Sequence, residues 1–452
     1  MMAGGYTGRV RRTILLVAAA VAVAVAAWLL HGPGALGYDS LWGLRWGDAI
    51  RHGHAPAFVG PDAPTPHPLV NLASAVLMVL GTDAATTILL AVSWLSLGAL
   101  AVVVARFATQ LFGWPVGVFA ALALTTRQLL VVETAQAFVD LPFLALAVGA
   151  LDRELRRPRD GWTVPVLLVL AGLLRPEGWA LELAYLVYRR DFRIGALLAL
   201  APVVWAGMDL WATGDALHSL HGTQALGAEL DRPRSAGTAV TLAPAALRDV
   251  VQSPLLWVAL AGALAGLLGR ERASRVPGGV LILGLAGYLV LGVAGLPLLG
   301  RYLLLPALML IVFAGLAVLG WTADRRPAWR LLGAAAAIAV IAGIPADVRA
   351  LQDANAFGAR LVRAQDSLRA AVRATEGRGC DRALAPDRRA LATIIAQRLG
   401  ARRGATGTLY FTYADRSVAI DYALGVLRQA RLPRRARPVY ANAVWRVGAV
   451  GC

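Results

Sequence analysis

Residues 37–69 read GYDSLWGLRWGDAIRHGHAPAFVGPDAPTPHPL. This polar stretch holds three acids (Asp39, Asp48, Asp62), three of the chain's six histidines (His52, His54, His67) and the rings of Tyr38, Trp42 and Trp46. A carboxylate placed against a hydroxyl can remove its proton. A guanidinium can hold two phosphate oxygens at once. The chain offers both kinds of group again where later apolar runs begin or end: Glu133, Asp140, Arg175, Glu177 and Arg301. Charged groups in such places are costly, and that makes them functional candidates by default.

Each candidate has a plainer reading beside the chemical one. Asp39 is either a general base or the cap of a helix through 41–53. Asp48, on that helix, reads as a solvated or Arg-paired residue. Trp42 and Trp46 share one helical face, either to stack on a sugar or to anchor at the membrane interface. Asp140 and Glu133, two helical turns apart, either orient a base and bind an acceptor or complement a helix dipole. Arg175 and Glu177 flank Pro176 in LRPEGW, as a salt-bridged turn or as a phosphate ligand held by its acid. Arg301 in LLGRYLLLP either snorkels or meets a phosphate. His67, in the extended PTPHPL segment, is a further phosphate candidate, and His54 a candidate for acceptor contact. The pair His52 and His54 lacks the spacing of a metal motif. No metal site is assigned, although a divalent cation is compatible with the chemistry.

The elements that must position these groups are membrane spans. The chain has 452 residues, 58% of them hydrophobic, and a mean hydropathy of +0.62, far above soluble proteins. Its net charge is +17, all of the basic residues being Arg. Basic chains often bind nucleic acid, but here the arginines gather in short loops as the positive-inside rule requires, and no nucleic acid is expected. Loops 152–160, 188–193, 269–275 and 322–330 are Arg-rich and read as internal; 127–136, 174–178, 213–253 and 295–301 read as external. The first apolar run, 13–30, follows GRVRR and reads as a retained span. The scheme gives about eleven transmembrane helices, the N-terminus inside, and a first outer loop at 32–68.

Beyond residue 345 the composition changes. Residues 346–452 carry nineteen Arg against eight acids and no apolar run long enough to span. Helices are expected over 353–375, 387–399 and 417–430, and strands over 408–413 and 443–450. The fold class is therefore an all-α polytopic membrane protein (1–345) with a small α/β extracytoplasmic domain (346–452). Cys380 and Cys452 are expected to form a disulfide in an oxidising compartment.

The order of these features resembles the GT-C superfamily of membrane glycosyltransferases, in particular polyprenyl- and dolichyl-phosphate mannosyltransferases and the lipid A aminoarabinose transferase. The likeness rests on Asp39 in the first outer loop, the Pro-rich entry PHPLVNLASAVLMVLG (66–81), ARFATQLFGWPVGVFAALAL (105–124) and FVDLPFLALAVGAL (138–151). LLRPEGWAL and RYLLLPAL look like pieces of actinobacterial members. The resemblance covers roughly residues 10–320. It implies an inverting transfer of a sugar, a mannosyl or arabinosyl group among others, from a polyprenyl-phosphate donor. The acceptor would be a glycan, lipid or protein of the bacterial envelope. It also implies a catalytic acid at Asp39 and outer-face arginines at the phosphate. Two features depart from the family: Asp39 is followed by Ser40 rather than a second acid, and His67 stands between split prolines. A transporter or flippase of lipid-linked sugars is the alternative, but it should show internal repeats and charges at the bilayer midplane. A third reading is an inactive scaffold whose C-terminal domain binds envelope polymer.

Overall fold

A computed structural model of the chain describes residues 3–58, 65–269, 271–378, 380–387, 390, 393–394, 407–414 and 431–452. Asp62, the helix expected over 417–430 and most of that expected over 387–399 lie outside these residues.

The long first helix α1 (Ala3–His31) is followed by α2 (Tyr38–Arg51) and α3 (Pro68–Leu77), the two helices of the first loop region. Then come α4 (Thr82–Phe112), α5 (Trp114–Thr125), α6 (Gln128–Ala135), α7 (Asp140–Arg156), α8 (Thr163–Leu174), α9 (Gly178–Arg189), α10 (Phe192–Leu198), α11 (Leu200–Thr213) and α12 (His218–Glu229). The bundle closes with α13 (Ala236–Val251), α14 (Leu255–Leu268), α15 (Arg275–Val293), α16 (Leu304–Leu319) and α17 (Pro327–Thr375). Among the described residues, six helical segments are long and apolar enough to cross a membrane, or eight if two bent pairs each count as one span. Of the expected eleven runs, 162–174 forms a shorter apolar helix, Thr163–Leu174, and Pro68–Leu80 is another short apolar helix. The chain is a multi-pass membrane protein.

Helix α16 is the pillar of the bundle. Its sequence, LLPALMLIVFAGLAVL, is apolar on every side, and such a helix is stable only when surrounded. All its residues but the last are buried, packed in one core with α4, α5, α7 and α14. Arg301 sits in the turn Gly300–Leu303 that leads into this helix, so the cation is carried by the most firmly held element.

Helix α17 continues without a break from a membrane-spanning first half into the C-terminal domain, with Pro345 inside it. The domain's sheet has the order β1 (Cys380–Leu384), β2 (Gly407–Tyr413), β4 (Trp445–Val450) and β3 (Arg437–Ala441). β1 and β2 are parallel; the other pairs are antiparallel. Leu409, Phe411, Trp445 and Val447 pack in one core with Leu361, Leu368 and Val372 of α17. The Trp445 indole donates to the carbonyl of Ala364 at 3.1 Å. Cys380 and Cys452 are joined, with Cα atoms 5.4 Å apart. Beyond Pro345, α17 is tied to the bundle by polar contacts: Asp347 with buried Arg127 at 2.5 Å, Asn355 with His31 at 2.7 Å, and Gln365 with the Leu36 carbonyl at 3.1 Å.

Candidate active site

Asp39 is positioned by the backbone on either side of it. The segment before α2 lies against residues 135–138: Ala35 donates to the Ala135 carbonyl at 2.9 Å and Gly37 to that of Gln136 at 2.8 Å. Ser40 adds a side-chain bond to the Ala137 carbonyl at 2.7 Å. Gly34 makes this contact possible. Its φ is +81°, and a Cβ there would lie 2.0 Å from the Ala135 oxygen. On the other side, α2 meets α3 so closely that a Cβ on Gly47 would lie 2.5 Å from that of Ser74. Asp39 is not the cap of α2. Gly37 occupies that place without a side-chain bond, and Asp39 lies in the first turn, where the helix dipole favours a carboxylate.

Asp39, His67, Asp140, Arg175, Glu177 and Arg301 all line one cavity of about 1000 Å³. Arg301 donates to Asp39 at 3.0 Å, and both side chains remain partly open, at 24% and 27% exposure. Its guanidinium also faces the Phe138 ring at 5.4 Å. Arg175 is held otherwise. One Nη donates to Asp140, while Nε and the other Nη reach the two oxygens of Glu177 at 3.3 and 2.7 Å. Its side chain is 6% exposed and that of Asp140 1%. The Arg175 guanidinium also covers the Tyr302 ring at 5.1 Å. Glu133 is buried near Asp140 and both arginines, but does not line the cavity.

Burial pushes the Asp39 carboxyl up, but the Arg301 guanidinium and the bond it donates outweigh it and hold the group below its ordinary value. Burial pushes His67 down, and Asp39 only partly offsets this. The His67 Nδ1 lies 2.8 Å from the Leu174 carbonyl. A carbonyl only accepts, so Nδ1 carries the proton and, in the neutral ring, Nε2 is left as an acceptor. A neutral His67 therefore suits a hydroxyl better than a phosphate. His54 is exposed after the end of α2 and is not part of the cavity wall.

Trp42 and Trp46 are buried in the wall, with the Trp46 indole donating to the Ala57 carbonyl at 3.1 Å. They are not interfacial anchors. Asp48 is buried among Arg45, Arg51 and His52. Much of the remaining wall is apolar, including Leu283, Gly287, Leu291, Leu305 and Pro306, with Arg232, Thr65 and Thr223 among its polar members. Three wall residues were missed in the sequence. Asp209 accepts from the backbone and hydroxyl of Ser219, each at 2.8 Å; its signal was a lone acid inside an apolar helix. Tyr302 adjoins Arg301 directly, and Trp205 stacks edge-on with His67 at 6.0 Å. Among the described residues no group of acids, histidines or cysteines is arranged to hold a metal.

No protein-family model and no curated protein matches the sequence. The fold does have relatives among solved structures. The chain is similar to ArnT from Cupriavidus metallidurans in its apo state, with a TM-score of 0.53 and 14% identity over 98% of each chain. It is equally similar to the same protein bound to undecaprenyl phosphate, with a TM-score of 0.53 and 13% identity over 97% of each chain. The likeness covers nearly the whole chain, and it is a likeness of fold.

Proposed function

We propose that the chain is a glycosyltransferase that takes a sugar from a polyprenyl-phosphate donor and passes it to an envelope acceptor. The observation that carries this reading is the meeting of two unlike surfaces in one cavity. A carboxylate–guanidinium pair, Asp39 with Arg301, lies in the same chamber as a long apolar wall from α15 and α16. A lipid phosphate is a ligand with matching halves. The fold supports the reading, because ArnT of the same architecture holds undecaprenyl phosphate.

In this mechanism Asp39 removes the proton from the acceptor hydroxyl as its oxygen attacks the anomeric carbon. The bond from that carbon to the phosphate oxygen breaks, and the configuration inverts. Arg301 stabilises the charge gathering on the departing polyprenyl phosphate. Arg175 is the clamp that fixes Asp140 and Glu177, since its three nitrogens already face carboxylates. Glu177, 22% exposed, is the acid of that group placed to meet a sugar hydroxyl. Cavity and C-terminal domain share the outer membrane face in this reading, with the N-terminus in the cytoplasm. The test uses purified full-length protein with a panel of radiolabelled polyprenyl-phosphate sugars. Transfer of label to an envelope fraction supports the enzyme. Lipid movement across vesicles without transfer favours the flippase.

A further inference from the structure

Arg301 serves two anions in this account, and it is the guanidinium bonded to Asp39. Arg175 is the other guanidinium in the ion-pair cluster, and all three of its nitrogens are bonded to Asp140 and Glu177. Arg301 has a single acid partner, Asp39, and a side chain still open to the cavity. The charged and titratable groups around Asp39 are Arg301, His67, Arg175 and Tyr302, with Glu133 behind.

We propose that Arg301 is handed from Asp39 to the donor phosphate, so that the base is released only once the donor is seated. This rests on the transferase reading above. In the empty site the guanidinium occupies one Asp39 oxygen, and a carboxylate so paired is a weak proton acceptor. An arriving phosphate competes for the planar fork, which it can take through two bonds. Asp39 then faces the acceptor hydroxyl with its partner withdrawn. During transfer the acceptor proton moves to Asp39, and the electron pair of the broken carbon–oxygen bond stays on the phosphate. When the polyprenyl phosphate leaves, Arg301 returns to Asp39 and favours loss of that proton to solvent. Donor-first order and a base kept quiet in the absence of donor follow from one shared cation.

The test is a double-variant cycle read by binding of undecaprenyl phosphate to the full-length protein in neutral-lipid nanodiscs. Competition for Arg301 predicts that Asp39→Asn binds the lipid about tenfold tighter than wild type, and that Arg301→Gln binds it about tenfold weaker. In the Arg301→Gln background, Asp39→Asn should change nothing. Equal tightening in both backgrounds would mean simple charge repulsion and would overturn the exchange, as would no tightening in either. If Arg301→Gln binds like wild type, Arg301 does not hold the phosphate and the exchange is overturned, whereas the transferase reading stands or falls by the transfer of label. Thermal melting accompanies every variant. Should Arg301→Gln not fold, Arg301→Lys takes its place. An ammonium lacks the fork, so the effect of Asp39→Asn should shrink; an undiminished effect counts against the proposal.

Discussion

Arg175 and Arg301 line the same cavity, and each pairs with carboxylates, yet they are held in opposite ways. Arg175 is sealed, with every nitrogen committed to Asp140 or Glu177 and its face on Tyr302. Arg301 keeps one acid partner and an open edge. A buried guanidinium whose three nitrogens all meet carboxylates holds a structure together. One bound to a single acid, with an edge open to the cavity, can exchange partners. In the sequence both sit beside a break between apolar runs and both are phosphate candidates, Arg175 with Glu177 two residues on and Arg301 alone. What separates them is the number of acids that the fold delivers to each.

That contrast can be broken by substitution. The largest loss of stability should follow Arg175→Gln, which leaves two carboxylates without their cation. Removing one member of a buried ion pair costs about 3–5 kcal/mol, so the melting temperature in nanodiscs should fall sharply. Arg301→Gln should melt within a few degrees of wild type, because its pair is partly open and such pairs contribute about 0–1 kcal/mol. Its damage should appear in transfer, through kcat/KM for the donor. A variant pattern with the two roles reversed would contradict the assignment.

The pH dependence sharpens the same comparison. Asp39 is held below its ordinary value, so its carboxylate form persists as pH falls through the usual range of about 4. Its contribution to stability is therefore present above the unfolded-state value and lost only as pH drops through the lower folded value. The acid limb of kcat/KM should lie below that usual range in wild type and move upward in Arg301→Gln. An acid limb that stays in place would mean that Arg301 does not set the basicity of Asp39. The smallest effect should come from Arg373→Gln. This arginine pairs with Asp83 at 2.8 Å, but both side chains are more than half exposed, and the change in melting should be within about 1 kcal/mol of wild type.

Much of the architecture was legible because membranes restrict the choices. The spans follow from apolar length, and the two strands 408–413 and 443–450 from alternation, while β1 and β3, short and Arg-bearing, carried no such pattern. The boundary at residue 345 was a change in composition only: α17 continues through it with Pro345 inside the helix, held by contacts on both sides. The candidate acids and arginines were found by asking which charges sit at span ends. Their convergence was not visible, since it depends on contacts between residues up to 262 apart, as Asp39 and Arg301 are. His54 had the right residue type and loop but stands in the open. The neutral tautomer of His67 depends on the Leu174 carbonyl, which no local pattern reveals.

The account rests on Asp39 as the proton acceptor. The direct measurement is transfer of radiolabelled sugar from the preferred polyprenyl-phosphate donor by Asp39→Asn, alongside wild type, in protein shown to melt normally and to retain undecaprenyl phosphate. The account predicts a fall in turnover of about 10²- to 10⁴-fold, the usual contribution of a general base. Turnover that stays at the wild-type level in a folded, lipid-binding variant would contradict it and move the base to Glu177, the other cavity acid with an open edge.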